Sequence, residues 1–402
     1  MCPTSYNGLL EAFEAARIGG ESALLDQMFR GINIAGAGFG AVGTVFNGVP
    51  QTGALHLRSA AASQLRNNLA NGNYQALANS LYTLNYSKAG GINAALPEIP
   101  VGVNGAVLRY TGFPENFIKT NPQFTTATLH SNLGSTNYHS IQSQLTLRPT
   151  AGVTMQASYT WSKLLGYGGN FTNPVERHQD YTLQVGDRRH DFRTNGAFEL
   201  PIGPGRLLMR NSSGVLARLV EGWQTSWILN LSSGEAANIV AQNMLYNNGV
   251  PDVVGPFEPK DAKVHWADGA IAGNYFGDAY HKVTDPQCST ITAALQSFCT
   301  LSAIADSSGR IVLQNPRPGT RGNLGQKVIE LPGLWSLDAA MSKSFRFSET
   351  RKFQIRMDAT NILNHPIPAD PNLDINNADV PFGDIGTKNG VRQFQLQLRL
   401  DF

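Results

Sequence analysis

Phe394-Gln395-Leu396-Gln397-Leu398-Arg399-Leu400-Asp401-Phe402 closes the chain, and its side chains alternate without exception between apolar and polar. Successive side chains of an extended strand point to opposite faces, so this segment carries one apolar face and one polar face. With 42% apolar residues in the chain, such a run arises in roughly one random window in 700, and 402 residues offer about 400 windows. One example would therefore prove little, and the weight comes from repetition.

The same period recurs six more times. Ile141, Ser143, Leu145 and Leu147 alternate with Gln142, Gln144, Thr146 and Arg148. After the turn Pro149-Thr150-Ala151-Gly152, the residues Val153, Met155, Ala157, Tyr159 and Trp161 alternate with Thr154, Gln156, Ser158 and Thr160. Phe192, Gly196, Phe198 and Leu200 follow the pattern, as do Trp223, Trp227, Leu229 and Leu231. Trp335, Leu337, Ala339 and Met341 form a sixth run, and Phe353, Ile355, Met357 and Ala359 a seventh. The expected strands are 138–148, 153–162, 190–200, 222–232, 334–347, 351–363 and the C-terminal segment.

A soluble sandwich also alternates, but two features favour strands that cross a membrane. The runs are about 9 to 11 residues long, the length a tilted strand needs to cross hydrocarbon, whereas soluble strands average about 5 to 6. Aromatic residues of the apolar parity stand near run ends: Tyr159, Trp161, Trp223, Trp335 and Phe402. That is the girdle expected at membrane interfaces, with Trp227, Phe394, Leu396, Leu398 and Leu400 facing lipid between. The other parity holds Gln, Asn, Arg, Asp and Glu and suits a wet lumen. The fold class expected is all-β: the C-terminal part of a transmembrane antiparallel barrel, with helical or irregular loop insertions.

The connections sort by length. Residues 149–152 and 348–350 are short and 201–221 intermediate, whereas 163–189, 233–333 and 364–391 are long. If the last strand descends to the periplasm, every short turn falls on the periplasmic side and every long loop outside. Seven strands is an odd number, and an open sheet would leave two unpaired edges in lipid. The expectation is therefore a part of a larger barrel, with residues 1–137 as an extracellular loop region bearing short helices and 138–402 as the strand region.

Composition agrees with this reading. Charged residues are only 15%, mean hydropathy is −0.20 and net charge is +2. No apolar run of about 18 to 20 residues exists, which excludes a helical membrane protein. Near-balanced charge leaves no field for nucleic acid. Toward the N-terminus, 5–30 and 55–86 show helical spacing, the latter broken at Asn71-Gly72-Asn73. Ala35-Gly36-Ala37-Gly38-Phe39-Gly40 lies between no clear strand and helix, and reads as a loop rather than a phosphate cradle. Glu11, Glu14 and Arg17 interrupt any signal-peptide core in residues 1–25, so an export signal is expected in sequence upstream. Cys288 and Cys299, eleven residues apart, can pair in an oxidising compartment or remain two packed thiols.

An ordered set of segments resembles the Oar-like TonB-dependent outer-membrane receptors abundant in Acidobacteria, which are linked to a carboxypeptidase-regulatory-like domain. It runs from Phe113-Pro114-Glu115-Asn116-Phe117 and Asn121-Pro122-Gln123-Phe124 through Asn137 to Lys163. It continues with Asp187-Arg188-Arg189-His190, Glu199 to Gly203, Gly222-Trp223-Gln224, Asp358 to Pro366 and the terminal strand. The resemblance covers about 110–402. It implies a large barrel, commonly of 22 strands, that imports a bulky ligand with energy from TonB. It does not extend to the family's plug, TonB-contacting segment or regulatory domain, so the TonB complex is a partner expected of the full-length parent. Phe402 on an alternating strand resembles the signal read by the barrel-assembly machinery. The other partners expected are outer-membrane lipid and an unidentified transported ligand.

Other chemistry is weakly signalled. Asp187-Arg188-Arg189-His190 reads as interface electrostatics or a loop ion pair rather than an active site. His178 and His190 lack a third metal ligand at useful spacing. His365 reads as a strand-end residue, and Ser232-Ser233-Gly234-Glu235 lacks a nucleophile elbow. Glu199, Asp338 and Asp358 fall on lumen parity. No catalytic residue, metal or cofactor is expected. Tyr246, Trp266, Tyr275, Phe276 and Tyr280 of loop 233–333 are candidates for ligand contact, against self-packing of a long loop. A secreted β-rich binding protein or glycan hydrolase is the alternative function.

Overall fold

The computed structural model describes residues 8–84, 103–124, 132–150, 152–168, 172, 177–242, 249–258, 262–266, 272–346 and 351–402. Seven long strands dominate it: β1 Ser135–Thr150, β2 Val153–Tyr167, β3 His190–Glu199, β4 Trp223–Ser232, β5 Leu334–Arg346, β6 Lys352–Thr360 and β7 Gln393–Asp401. They pair in chain order as one antiparallel meander, with β1 and β7 at its two edges. A short strand, Tyr181–Leu183, joins the upper end of β2.

The register brings the two parities into rows. Leu147, Met155, Gly196, Trp227, Ala339, Ala359 and Phe394 are successive neighbours across all seven strands. Leu145, Ala157, Thr194, Leu229 and Leu337 form the next row of that face. Among the described residues no layer covers these two rows, and Leu396 is 66% exposed. Apolar area of this kind costs about 25 cal/mol per Å² in water, which is the physical reason a lipid face is required.

Trp227 is not at a membrane interface. Its indole lies across Gly196, where a Cβ would come within 2.3 Å of the ring, and it tilts against Phe198 at 6.0 Å. It is a mid-strand residue of the apolar parity that a bare glycine makes room for. Trp161 also lies inside its strand: β2 runs on to Tyr167 because Leu165–Tyr167 pairs with Ser135 to Asn137 of β1 on one side and Tyr181–Leu183 on the other. Trp161 still stands level with the start of β3, opposite His190.

The opposite face reads Gln144, Ser158, Arg193, Asn230 and Ser336 in one row and Thr154, Ala197, Ser226, Ala340, Asp358 and Gln395 in another. Its charges pair two residues apart on one strand: Arg193 with Asp191 at 2.8 Å, Arg356 with Asp358 at 2.7 Å and Arg399 with Asp401 at 2.7 Å. Spacing of two is what a strand needs to put both partners on one face.

At the end with long connections, two apolar cores form. The first joins α1 Leu9–Arg17, α2 Ala23–Met28, α3 Gly53–Arg58, α4 Ser63–Ala70, α5 Tyr74–Tyr82 and α6 Ala106–Tyr110. Phe13, Leu25, Leu57, Leu69, Tyr74 and Leu77 are fully buried there, together with Leu295 from the segment after β4. Asn71, expected only as a helix breaker, also accepts from Thr300 N at 2.7 Å and donates to Phe298 O at 3.3 Å. Cys288 and Cys299 are disulfide-bonded with Cα atoms 5.6 Å apart, closing the segment that carries these contacts.

The second core interlocks the connections 233–333 and 364–391. Gly273–Asn274 pairs with Asp384–Ile385, and Ile239, Phe276, Ile304, Leu313, Ile375 and Phe382 are buried together.

Leu398→Arg should cost about 2 to 4 kcal/mol of folding stability in lipid, because the charge would enter hydrocarbon, whereas Gln397→Arg should cost little. Urea titration of the refolded chain in vesicles measures both, and equal costs would contradict the face assignment. A second expectation concerns the helical core. His56 on α3 is fully buried, its Nε2 lies 3.1 Å from Gln51 Oε1, and burial pushes its imidazole down to about 4. The unfolded chain protonates it near 6.5, so this stability is full above pH 6.5 and is lost as pH falls towards 4. The loss should reach about 3 kcal/mol at most. Melting of the helices followed by circular dichroism across that window, with His56→Gln as the flattened control, measures it.

Candidate functional site

The long connections fold over the strand ends and leave an open cavity of about 800 Å³. Apolar surface comes from Trp266, Tyr275, Leu331 and Pro368, and polar groups from Glu258, Lys263, Glu330 and His365. Gly333 immediately precedes β5 and His365 lies shortly after β6, so the cavity abuts the ends of these two strands. His365 lies edge-on to Trp335 with ring centres 4.3 Å apart. The strand-end position read for it from sequence is where it stands, and it also lines the cavity.

Trp266 and Tyr275 both face this space. Lys388 Nζ sits 5.2 Å from the centre of the Trp266 ring. Tyr275 donates its hydroxyl hydrogen to the Glu330 carbonyl oxygen, and burial first, then the Glu330 carboxylate, push its phenol up to about 12. It is therefore a fixed neutral donor at any physiological pH. All four belong to the second core: Tyr275 and Phe276 are buried in it and Trp266 and Tyr280 pack against it, Tyr280 on Phe257 at 5.2 Å and Phe276 on Phe382 at 5.0 Å. Tyr246 lies outside the described residues. Self-packing thus accounts for all four described loop aromatics, of which Trp266 and Tyr275 also line the cavity.

Sequence reasoning did not find Glu258, Lys263, Glu330 or Lys388. They come from separate stretches that meet only through the pairing of Gly273–Asn274 with Asp384–Ile385 and of Ile329–Glu330 with Ala236–Ala237. A glutamate–lysine–aromatic set of this kind can grip a bulky, partly apolar ligand through its hydrogen-bonding groups.

Asp187-Arg188-Arg189-His190 forms a clasp. Buried Asp187 accepts from Leu164 N at 2.5 Å, Arg188 pairs with Glu235 at 3.0 Å and donates to Ser233 O, and Tyr159 Oη meets His190 Nδ1 at 2.8 Å. Its members tie the β2–β3 connection to the end of β4. His178 sits apart, on the exposed turn Arg177–Asp180. Among the described residues no three His, Cys, Asp or Glu side chains are grouped to hold a metal ion. Asp338 accepts from Asn361 N at 2.7 Å, and Glu199 pairs with Arg206 at 3.0 Å, so the lumen-parity carboxylates are spent on the sheet's own backbone and arginines.

The family model described as outer membrane beta barrel domain matches residues 41–395. The chain belongs to the outer-membrane β-barrel family. The strands are thus those of an outer-membrane barrel, and the match extends into the helical region upstream of β1. A search among curated proteins found no match. Among solved structures, the outer membrane transporter YddB from Escherichia coli is similar at 13% identity with a TM-score of 0.26. That match covers 67% of this chain and 26% of the YddB chain, so this chain spans about a quarter of that transporter.

Proposed function

We propose that this chain is the C-terminal barrel segment of a TonB-dependent, Oar-like receptor that imports a bulky ligand across the outer membrane. The observation that carries the reading is the seven-strand meander whose outer strands, β1 and β7, each have one neighbour among the described residues. Unpaired backbone groups cost several kcal/mol each in hydrocarbon, so the two outer strands favour further strands that would close a larger barrel. The ordered motifs from Phe113 to Phe402 favour the Oar-like receptors over other barrels of the family. The cavity over the strand ends supplies a first contact site for the ligand, with Trp266, Tyr275 and Lys263 as its anchors. TonB is the energy-coupling partner of the whole receptor, Phe402 the residue offered to the assembly machinery, and no catalytic role is proposed.

Two measurements test this. Expressed behind an export signal in a Gram-negative host, the chain should sediment with outer membranes and resist extraction by carbonate. Recovery in the soluble periplasmic or extracellular fraction would favour the secreted binding protein or hydrolase. Sequencing the transcript should show a plug-coding region in frame ahead of residue 1. A stop codon there, followed by a separate promoter and signal peptide, would contradict the receptor reading.

A further inference from the structure

The β3–β4 connection, residues 201–221, lies at the end of the sheet with short turns, the periplasmic end of an outer-membrane barrel. It is the most apolar exposed stretch of the described chain outside the strands. Leu207 is 83% exposed and Val215 78%, and Leu208, Met209, Leu216 and Leu219 are exposed as well. Helix α7, Gly214–Val220, separates its residues into two arcs at 100° per residue. Val215, Leu216, Leu219 and Val220 share one, while Gly214, Ala217 and Arg218 share the other. Only Ala217 of the helix is buried.

Two side chains fix which side of the sheet α7 occupies. Trp223 Nε1 donates to Leu219 O at 3.0 Å, and Lys343 Nζ donates to the same oxygen at 2.9 Å and to Glu221 O at 2.5 Å. Trp223 and Lys343 are register partners of the lipid parity. The helix therefore hangs on the outer, lipid-facing side of the sheet, not under the lumen. This also accounts for a lysine on an otherwise apolar face. Lys343 is buried between the Trp223 and Phe345 rings, at 5.5 and 4.9 Å from their centres, with its charge capping the carbonyls at the helix C-terminus.

We propose that residues 201–221 form a foot lying in the phospholipid leaflet at the periplasmic rim, with Leu216 and Leu219 among the acyl chains and Arg210 and Arg218 at the phosphates. The occupant of the exposed apolar arc is lipid because the arc continues the membrane face at Trp223 without a break. Charge agrees: the segment holds Arg206, Arg210 and Arg218 against one acid, Glu221. A groove of about 780 Å³ between foot and strand ends adds Arg346 to this basic rim, with Glu199 beside Arg206.

The test uses the full chain carrying Cys2→Ser, with one new cysteine bearing an environment-sensitive fluorophore, in vesicles of phosphatidylethanolamine and phosphatidylglycerol. A label at Leu216 should emit to the blue and be quenched several-fold more by nitroxide lipids than a label at Ser307, an exposed loop residue at the opposite end. A Leu216 label that matches Ser307 and yields to aqueous iodide overturns the foot. A Leu398 label separates the two levels of failure. Leu398 quenched by lipid with Leu216 exposed removes only the foot, whereas neither quenched removes the foot and the membrane face together. Adding Leu219→Glu should lower the lipid quenching at Leu216 without changing it at Leu398, and unchanged quenching at both would contradict the proposal.

Discussion

A backbone N–H or C=O left without a partner in hydrocarbon costs several kcal/mol, and no water is there to supply one. Every large feature of this chain follows from that constraint. It demands a ladder in which each strand pairs on both sides, which the meander β1 to β7 supplies across its six internal junctions. It allows apolar side chains on one parity only, since the other must stay wet. It also keeps irregular backbone out of the sheet, so the long connections and all nine helices of the described residues lie beyond the strand ends.

Freed from the ladder, those connections build cores of a different kind. The helical core buries Phe13, Leu57 and Tyr74 as any soluble helix packing would, and it is pinned to the β4–β5 connection by Asn71 and closed nearby by the Cys288–Cys299 bridge. The second core uses small strands and stacked aromatics. Next to that core lies the cavity, which reaches the ends of β5 and β6 at Gly333 and His365. Loops on a sheet scaffold are a common arrangement for ligand capture, where loops carry recognition and the scaffold fixes their bases.

The strands were legible because a sheet with one apolar and one polar face imposes a strict period of two, and the period seen from Phe394 to Phe402 recurs in six other runs. The pairing of Gly196 with Trp227 was not legible, since it depends on which strands are neighbours rather than on either strand alone. The upper end of β2 was missed for a related reason. Above the membrane the apolar requirement lapses, and Leu165 to Tyr167 stay extended because Ser135 to Asn137 pair on one side and Tyr181 to Leu183 on the other. The cavity was half legible. Trp266 and Tyr275 stood out as loop aromatics, but Tyr280 looks the same in sequence and is packed away beside Phe257. Lys263, Glu258 and Glu330 carried no local signal, because only the interlocking of two distant connections brings them together. Helical spacing marked α1 to α5, yet gave no hint that Lys343 would meet the end of α7 on the outer face.

The account stands on one claim: the apolar parity touches lipid and the polar parity touches water. Cysteine scanning of Gln393 to Leu400 in lipid vesicles tests it most directly, reading quenching by lipid-borne nitroxide and by aqueous iodide at each position. The account predicts a period of two, with Phe394, Leu396, Leu398 and Leu400 reached from lipid and Gln395, Gln397 and Arg399 from water. A uniform response along β7, or the opposite phase, would contradict it.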